Sequence, residues 1–255
     1  MRRVFIELFL MEPEDVVELA KRLDLGAEIF LTVSRMEKFS ETRIRELYLK
    51  RRDLAGFSIH GPYKDLVPGS IDPRIRQVTK ERFLEVAEIA KKLDSEWIVL
   101  HLNFLSQIYG HEKLRKVWLE YAIRVFSELE TFNIPIFLEN SYEGDPTIFL
   151  DVLTNLDTDI FAMCFDIGHA YAYSDVKLEK WVEVLSSFIR EVHVHETKRG
   201  QDLHLPLGSG YIDINKILSS IESNVGGGFI ITLEPSSIED LHKNLEWLRE
   251  NGWIH

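Results

Sequence analysis

Eight short apolar runs alternate with stretches of helical periodicity along the 255 residues of this chain. The runs occupy residues 4–10, 28–33, 57–60, 97–102, 135–139, 160–166, 191–195 and 229–234. Most are continuously apolar, which is typical of parallel strands buried on both faces. The intervening stretches include the amphipathic segments 72–93 and 111–132. Proline follows an acidic residue at 12–13, 72–73 and 145–146, and proline is tolerated in a first helical turn, so each pair is a helix start signal.

Strictly alternating strands and helices predict an α/β fold that is either a closed barrel or an open, doubly wound sheet. A count of eight and a length of 255 residues favour a single (β/α)8 TIM barrel, which typically has about 250 residues. The sequence contains no Pro/Gly/Ser-rich linker, fixed-period repeat or low-complexity tract. We therefore expect one domain spanning residues 1–255.

Composition excludes several classes of protein. No apolar stretch approaches the roughly 20 residues that span a bilayer, so no membrane partner is expected. Acidic residues interrupt the first apolar run, which is interpreted as a strand and not a signal peptide. The single cysteine, Cys164, cannot form an internal disulfide, which fits a cytoplasmic location. A net charge of −12 argues against a broad basic face for binding nucleic acid. A local basic groove is still compatible with this charge.

From the third run onward, each run ends in, or leads into, side chains that can bind a metal ion. They are His60, His101, Glu139, Asp166, His169, His193, Asp202, His204 and Glu234. In a barrel, residues at the carboxyl ends of the strands converge on one mouth. A lone histidine at a strand end is most often a hydrogen-bonded rim residue. Several buried carboxylates at one mouth, however, would repel each other without cations, so the pattern predicts a divalent metal site.

The segment from SIHGPY to ITLEP, nearly the whole chain, resembles the xylose isomerase-like TIM-barrel superfamily (AP endonuclease family 2). That superfamily includes sugar isomerases and epimerases as well as endonuclease IV. Its two branches share four ligand positions, which here are Glu139, Asp166, His193 and Glu234. In the isomerase branch these four would bind one divalent ion, commonly Mn²⁺. Glu139 and Glu234 would then move a proton on a sugar or sugar phosphate.

The endonuclease IV branch implies a larger centre of up to three Zn²⁺ ions. His60 and His101 would bind the first zinc, with Glu139 bridging to the second. Asp166, His193 and Glu234 would complete the second. His169, Asp202 and His204 would bind the third, because DIGHAY matches the Asp-x-x-His of that branch and DLHLPLGSG its Asp-x-His followed by Gly-x-Gly. The resemblance then implies phosphoester hydrolysis, with Glu139 as the partner of the attacking hydroxide. This is the leading hypothesis, and abasic DNA or a small sugar phosphate is the expected substrate.

Other positions depart from the endonuclease pattern. HLN replaces the usual His-Pro-Gly after the fourth strand, and His195 stands where asparagine is usual. The loops MEPED and SRMEK are short and lack the segment that grips DNA, and Glu7 and Glu28 are more typical of isomerases. The candidate substrate contacts are Tyr63, His195, Lys198 and Arg199. A rim aromatic is the alternative for Tyr63, and solvated loop charges are the alternative for the lysine and arginine. A metal-binding module without catalysis is the third functional hypothesis.

Overall fold

Eight parallel strands pair in chain order, and the eighth closes on the first to form a barrel. The computed structural model describes residues 2–225 and 228–254. The strands are β1 (Val4–Ile6), β2 (Gly26–Phe30), β3 (Phe57–His60), β4 (Ile98–His101), β5 (Ile136–Glu139), β6 (Phe161–Asp166), β7 (Ile189–Val194) and β8 (Ile230–Leu233). The predicted (β/α)8 barrel is confirmed.

Helices follow the strands around the outside. They are α1 (Pro13–Leu23), α2 (Val33–Met36), α3 (Glu41–Arg51), α4 (Pro73–Lys92), α5 (Ser106–Tyr109), α6 (Glu112–Ser127), α7 (Thr147–Leu153), α8 (Ile167–Tyr173), α9 (Leu178–Leu185), α10 (Ile214–Val225) and α11 (Ile238–Glu250). Proline is the first residue of α1 and α4, as the sequence predicted. At the third pair, Pro146 directly precedes α7 and is not part of its first turn, and the Asp145 carboxylate accepts a hydrogen bond from the Thr147 amide (2.7 Å).

Some predicted boundaries were wrong for local reasons. The second strand ends at Phe30 and not at residue 33, because the Thr32 side chain accepts a hydrogen bond from the Arg35 amide (3.1 Å) and caps α2. The first strand ends at Ile6 instead of residue 10. The helix predicted over 111–132 becomes a 3-10 helix (Glu128–Phe132) after Ser127.

Two apolar clusters stabilise the barrel. The larger joins the strands to the surrounding helices, and the smaller contains Phe5, Trp97, Val99, Phe137, Ala162 and Cys164. Gly26 is required beside this smaller cluster, because a Cβ there would overlap the Phe5 ring. Among the described residues, no helix has both the length and the apolar character needed to cross a membrane.

Candidate metal centre

All nine predicted ligands lie around the carboxyl-terminal mouth of the barrel. His60, His101, Glu139 and Asp166 are the last residues of β3, β4, β5 and β6. Strand register places His101 beside Glu139 and Asp166 beside His193. The remaining ligands follow the strands, with Glu234 directly after β8, His169 in the first turn of α8, and Asp202 and His204 in the long loop after β7.

Glu139 lies at the centre of this arrangement, and its two oxygens face different partners. Oε2 lies 3.2 Å from His60 Nε2 and 3.1 Å from His101 Nε2. Oε1 lies 3.2 Å from His169 Nδ1 and 3.6 Å from His193 Nδ1. Burial alone would raise the pKa of Glu139, but the neighbouring histidines, His101 first, outweigh it and hold that pKa well below its ordinary value. Glu139 is therefore a carboxylate that can bridge two cations.

A second group forms around His193. Its ligand atoms, together with those of Glu139, Asp166 and Glu234, all lie within 4.8 Å of one another. His193 Nδ1 is 3.0 Å from Glu234 Oε1, while the other ring nitrogen is 2.9 Å from Glu28 Oε1. A ligating histidine ordinarily needs such an acceptor on its far side to fix the tautomer and the ring orientation.

A third group joins α8 to the loop after β7. His169 Nε2 lies 3.3 Å from Asp202 Oδ2, and His204 Nε2 lies 3.3 Å from Asp202 Oδ1. The His195 ring belongs to the same group, with ligand atoms within 4.8 Å of each other. Burial lowers the pKa of His204, but hydrogen bonding to Asp202 outweighs it and raises that pKa to about 9.

Buried atoms without partners test whether these groups fit metal ions. Within the described part of the chain, hydrogen-bond partners are lacking for both oxygens of Glu139, Asp166 Oδ2, Glu234 Oε2 and both ring nitrogens of His193 and His195. Leaving such groups unpaired costs about 1–3 kcal/mol each, so native proteins rarely do so. Imidazole nitrogens and carboxylate oxygens are ligands of divalent transition metals, and the clusters therefore fit such ions.

Orienting residues that the sequence analysis did not assign surround the ligands. Glu7 Oε2 lies 2.8 Å from His60 Nδ1, the nitrogen that faces away from Glu139. The Asn140 side chain makes two hydrogen bonds of 2.9 Å to the backbone of Asp166, and the backbone carbonyl of Asn140 lies 3.0 Å from His169 Nδ1. The available signal for Asn140 was its position directly after Glu139, at the end of a strand.

A cavity of about 220 Å³ opens onto the first group, which consists of His60, His101 and Glu139, and onto ligands of the second and third groups. Its apolar wall contains Phe9, Phe30 and Tyr63, and the Tyr63 ring stacks on His101 with 4.3 Å between ring centroids. Burial raises the pKa of Tyr63 to about 12, so its hydroxyl remains a hydrogen-bond donor. Lys64 brings a positive charge to the same cavity. The sequence analysis singled out Tyr63 but missed Phe9, Phe30 and Lys64.

The other predicted substrate contacts lie elsewhere. Lys198 is exposed, with its ammonium 5.2 Å from the centre of the Tyr211 ring. Arg199 donates a hydrogen bond to the Ser174 carbonyl (2.9 Å). Neither residue lines the cavity, and His195 is fully buried. Their roles in substrate binding stay predictions.

The loop after β7 is organised by the buried carboxylate of Glu196. It accepts hydrogen bonds from the amides of Gly208 (2.9 Å), Gly210 (3.2 Å) and Tyr211 (2.7 Å). Gly208 and Gly210 have φ values of 85° and 88°, which explains why glycine occurs at both positions. The Gly-x-Gly turn is thus fastened to the end of β7, and this brings the ligand-bearing part of the loop over the mouth.

A sequence model of the xylose isomerase-like TIM barrel matches residues 17–251. The chain belongs to this family. Proteins that are similar to this chain are named as enzymes with different activities. A probable endonuclease 4 of Mycobacterium leprae is 24% identical over 72% of this chain and 75% of its own length. The solved structure of a D-tagatose 3-epimerase-like protein is 25% identical, with a TM-score of 0.83 over 100% of this chain and 98% of its own.

A third similar protein supports the fold alone. It is the TTHB071 protein from Thermus thermophilus, soaked with ZnCl2, with 24% identity and a TM-score of 0.77. The alignment covers 100% of this chain and 98% of that protein. The family therefore includes enzymes of two reaction types, and family membership alone does not decide between them for this chain.

Proposed function

We propose that this family member is a phosphoester hydrolase with a multinuclear zinc centre and a small phosphorylated substrate. The observation that carries the proposal is the convergence of His60 Nε2 and His101 Nε2 on Glu139 Oε2, at 3.2 and 3.1 Å. Proton transfer at one metal held by Glu139, Asp166, His193 and Glu234 needs neither of these histidines. A second ion beside Glu139 gives both of them a role.

Charge balance supports more than one ion. The three groups contain four carboxylates, from Glu139, Asp166, Asp202 and Glu234. One divalent ion would leave the mouth negative, which is unfavourable for an anionic phosphoester. Three divalent ions bring six positive charges and make the mouth positive before substrate binds. Five of the nine candidate ligands are histidines, and their imidazole nitrogens favour zinc over magnesium or calcium, which prefer oxygen ligands.

Zinc ions bound here would supply Lewis acidity for the phosphoryl oxygens and lower the pKa of a coordinated water. The chain's own residues would orient the reactants. Glu139 has a strongly lowered pKa, so it suits accepting a hydrogen bond from the nucleophile better than storing its proton. Tyr63 remains protonated and can donate to a substrate oxygen, and Lys64 adds a positive charge at the cavity wall.

The size of the cavity supports a small substrate. Its volume of about 220 Å³ is below the roughly 300–1,000 Å³ typical of pockets for drug-sized ligands. The loop between β2 and α2 consists of only residues 31–32, which leaves little chain to grip a duplex. The net charge of −12 also disfavours a long DNA contact. Abasic DNA therefore ranks behind a small phosphorylated molecule.

Metal content combined with one histidine substitution tests the hydrolase. We expect close to three zinc ions per chain by mass spectrometry, and hydrolysis of bis-p-nitrophenyl phosphate or a sugar phosphate. His101→Ala should release one zinc and lower kcat/KM by about 100-fold or more, since it weakens electrostatic stabilisation of the transition state. The control is His242→Ala, which removes an exposed histidine of α11. One metal per chain, with activity that His101→Ala leaves intact, would refute the proposal. An abasic-site duplex tests the DNA alternative.

A sugar or sugar-phosphate epimerase using one Mn²⁺ is the second candidate. It is favoured by Glu139 and Glu234, which both approach His193 Nδ1, at 3.6 and 3.0 Å, and by the likeness to the epimerase-like protein. The Mn²⁺-loaded chain would then exchange a carbon-bound proton of a ketose with deuterated water. This exchange should survive His101→Ala and disappear in Glu234→Gln. Absence of deuterium incorporation across a panel of ketoses and their phosphates counts against this candidate.

A further inference from the structure

His195 is a fully buried histidine whose two ring nitrogens lack hydrogen-bond partners within the described residues. It follows the last residue of β7, so its backbone position is fixed by the barrel. An imidazole buried without a partner costs about 1–3 kcal/mol, and nearly all buried polar groups in proteins have one. A bound cation would give one of these nitrogens the partner that it lacks within the described residues.

The Nε2 atom of His195 is aimed at the carboxylates of the metal centre. It lies 3.3 Å from Asp166 Oδ2, 3.9 Å from Asp202 Oδ1 and 3.8 Å from Glu234 Oε2. Carboxylate oxygens of Asp166 and Glu234 therefore approach this nitrogen, as well as the oxygen of Asp202. The His195 ligand atom shares a sphere with those of His169, Asp202 and His204, all within 4.8 Å of one another.

Packing holds the ring in this orientation. His195 stacks on His204 with 4.1 Å between centroids and 17° between ring planes, and it meets His169 edge-on at 5.7 Å. Gly168 closes the third side, because a Cβ at that position would overlap the His195 ring. His204 has φ = 46°, in the left-handed region that few non-glycine residues adopt, and its ring packs against His195.

We propose that His195 is the fourth protein ligand, beside His169, Asp202 and His204, of the third metal ion. The inference rests on the multinuclear centre proposed above. Four protein ligands complete a tetrahedral shell for zinc, and closed shells are characteristic of structural sites, whereas catalytic sites keep an open position. The third ion then fastens the loop after β7 to α8. Open positions for the phosphoester would then be left to the first and second ions, whose ligands Glu139 and Glu234 also line the cavity.

Metal-binding measurements separate this role from a purely orienting one. Zinc affinity is measured by chelator competition on the metal-free chain, with Co²⁺ absorption as a readout of coordination geometry. His195→Asn should weaken one zinc by more than about 100-fold, because even residues that only orient a ligand cost about 10–100-fold. It should also remove the intense visible bands of one tetrahedral Co²⁺. His195→Gln should fail to rescue either property, since its amide can donate a hydrogen bond to Asp166 but is a poor zinc ligand.

A double substitution identifies which ion depends on His195. Asp202→Ala should remove the third ion, and adding His195→Asn to it should leave the affinities of the remaining two unchanged. Further weakening in the double variant would show that His195 orients Asp166 at the second ion, and would overturn the proposal. Rescue by His195→Gln would overturn it equally. If the unmodified chain binds three zinc ions, either of these two results overturns only the role of His195 and not the proposed hydrolase. If the unmodified chain binds one metal ion, both proposals are overturned.

Discussion

Replacing Glu28 by glutamine tests how the barrel interior supports the second metal group. Glu28 is fully buried in β2, accepts a hydrogen bond from Ser58 Oγ (2.7 Å), and lies 2.9 Å from His193 Nε2. The opposite ring nitrogen of His193 faces Glu139 and Glu234. Glu28 therefore fixes which nitrogen of His193 is free to bind a metal, and its negative charge increases the basicity of that nitrogen.

The expected loss follows from removing a negative charge that lies 2.9 Å from His193 Nε2. A polar contact to a charged group contributes about 1–1.5 kcal/mol more than one between neutral groups. Glu28→Gln keeps the shape of the side chain but loses the charge, so we expect a loss of about 1–1.5 kcal/mol. This corresponds to roughly tenfold weaker metal binding at the second group, the lower end of the range for orienting residues.

Glu191 provides a matched control inside the same barrel. Burial, reinforced by the negative charge of Glu28, raises the pKa of Glu191 well above its ordinary value, which favours the neutral form of this side chain. Glutamine can replace a neutral acid here, accepting from Trp97 Nε1 as Glu191 does at 2.7 Å. Glu191→Gln should therefore leave zinc affinity unchanged in chelator competition. The reasoning is wrong if Glu28→Gln binds zinc as tightly as the unmodified chain, or if both variants weaken it equally.

Three further measurements test the site and the core. Stripping divalent metals with a chelator should lower Tm, measured by calorimetry, by about 8–16 °C, and adding zinc should restore it. This shift corresponds to about 4 kcal/mol, the stabilisation expected when the metal concentration is a thousandfold above Kd. An unchanged Tm would contradict a bound ion. Burial raises the pKa of Glu143 from 4.5 to about 7, so the folded chain holds a proton that the unfolded chain releases. In urea titrations, the stability of the metal-free protein relative to Glu143→Gln should then decline by about 3 kcal/mol as the pH rises from 4.5 to about 7, and stay level at higher pH. A stability difference that does not depend on pH would contradict this. Trp118→Ala should lower the free energy of unfolding by about 3–5 kcal/mol, because the ring is fully buried against Phe104 and Gly69, and a loss under about 1 kcal/mol would exclude tight packing there.

Periodicity predicted the barrel because each strand is buried on both faces and so has a continuous apolar run. Phe57–His60 was predicted to the residue, and Ile136–Glu139 to within one. The convergence of the nine candidate ligands also followed from topology, since parallel strands of a closed barrel end at the same mouth. Strand ends were less predictable where a side chain made a local cap, as Thr32 does.

The surroundings of the ligands were harder to predict, because they depend on contacts between residues distant in sequence. The pairing of Glu7 with His60 joins residues 53 positions apart, and no local pattern encodes it. Asn140 acts through hydrogen bonds to the backbone of Asp166, which the sequence does not display. Lys198 and Arg199 have the right charge for a phosphate but lie outside the cavity, which instead contains Lys64.

The three metal groups differ in what holds them, and this difference bears on how one fold supports two chemistries. The second group is built on strand ends and is oriented from inside the barrel by Glu28, so it changes little when loops change. The third depends on the loop after β7, which is shaped by Glu196 and two glycines with positive φ. Reaction type would therefore be set by the first and third groups, while the second supplies what both chemistries need. His195 is informative in this respect, because it lies between the second and third groups and is buried by both.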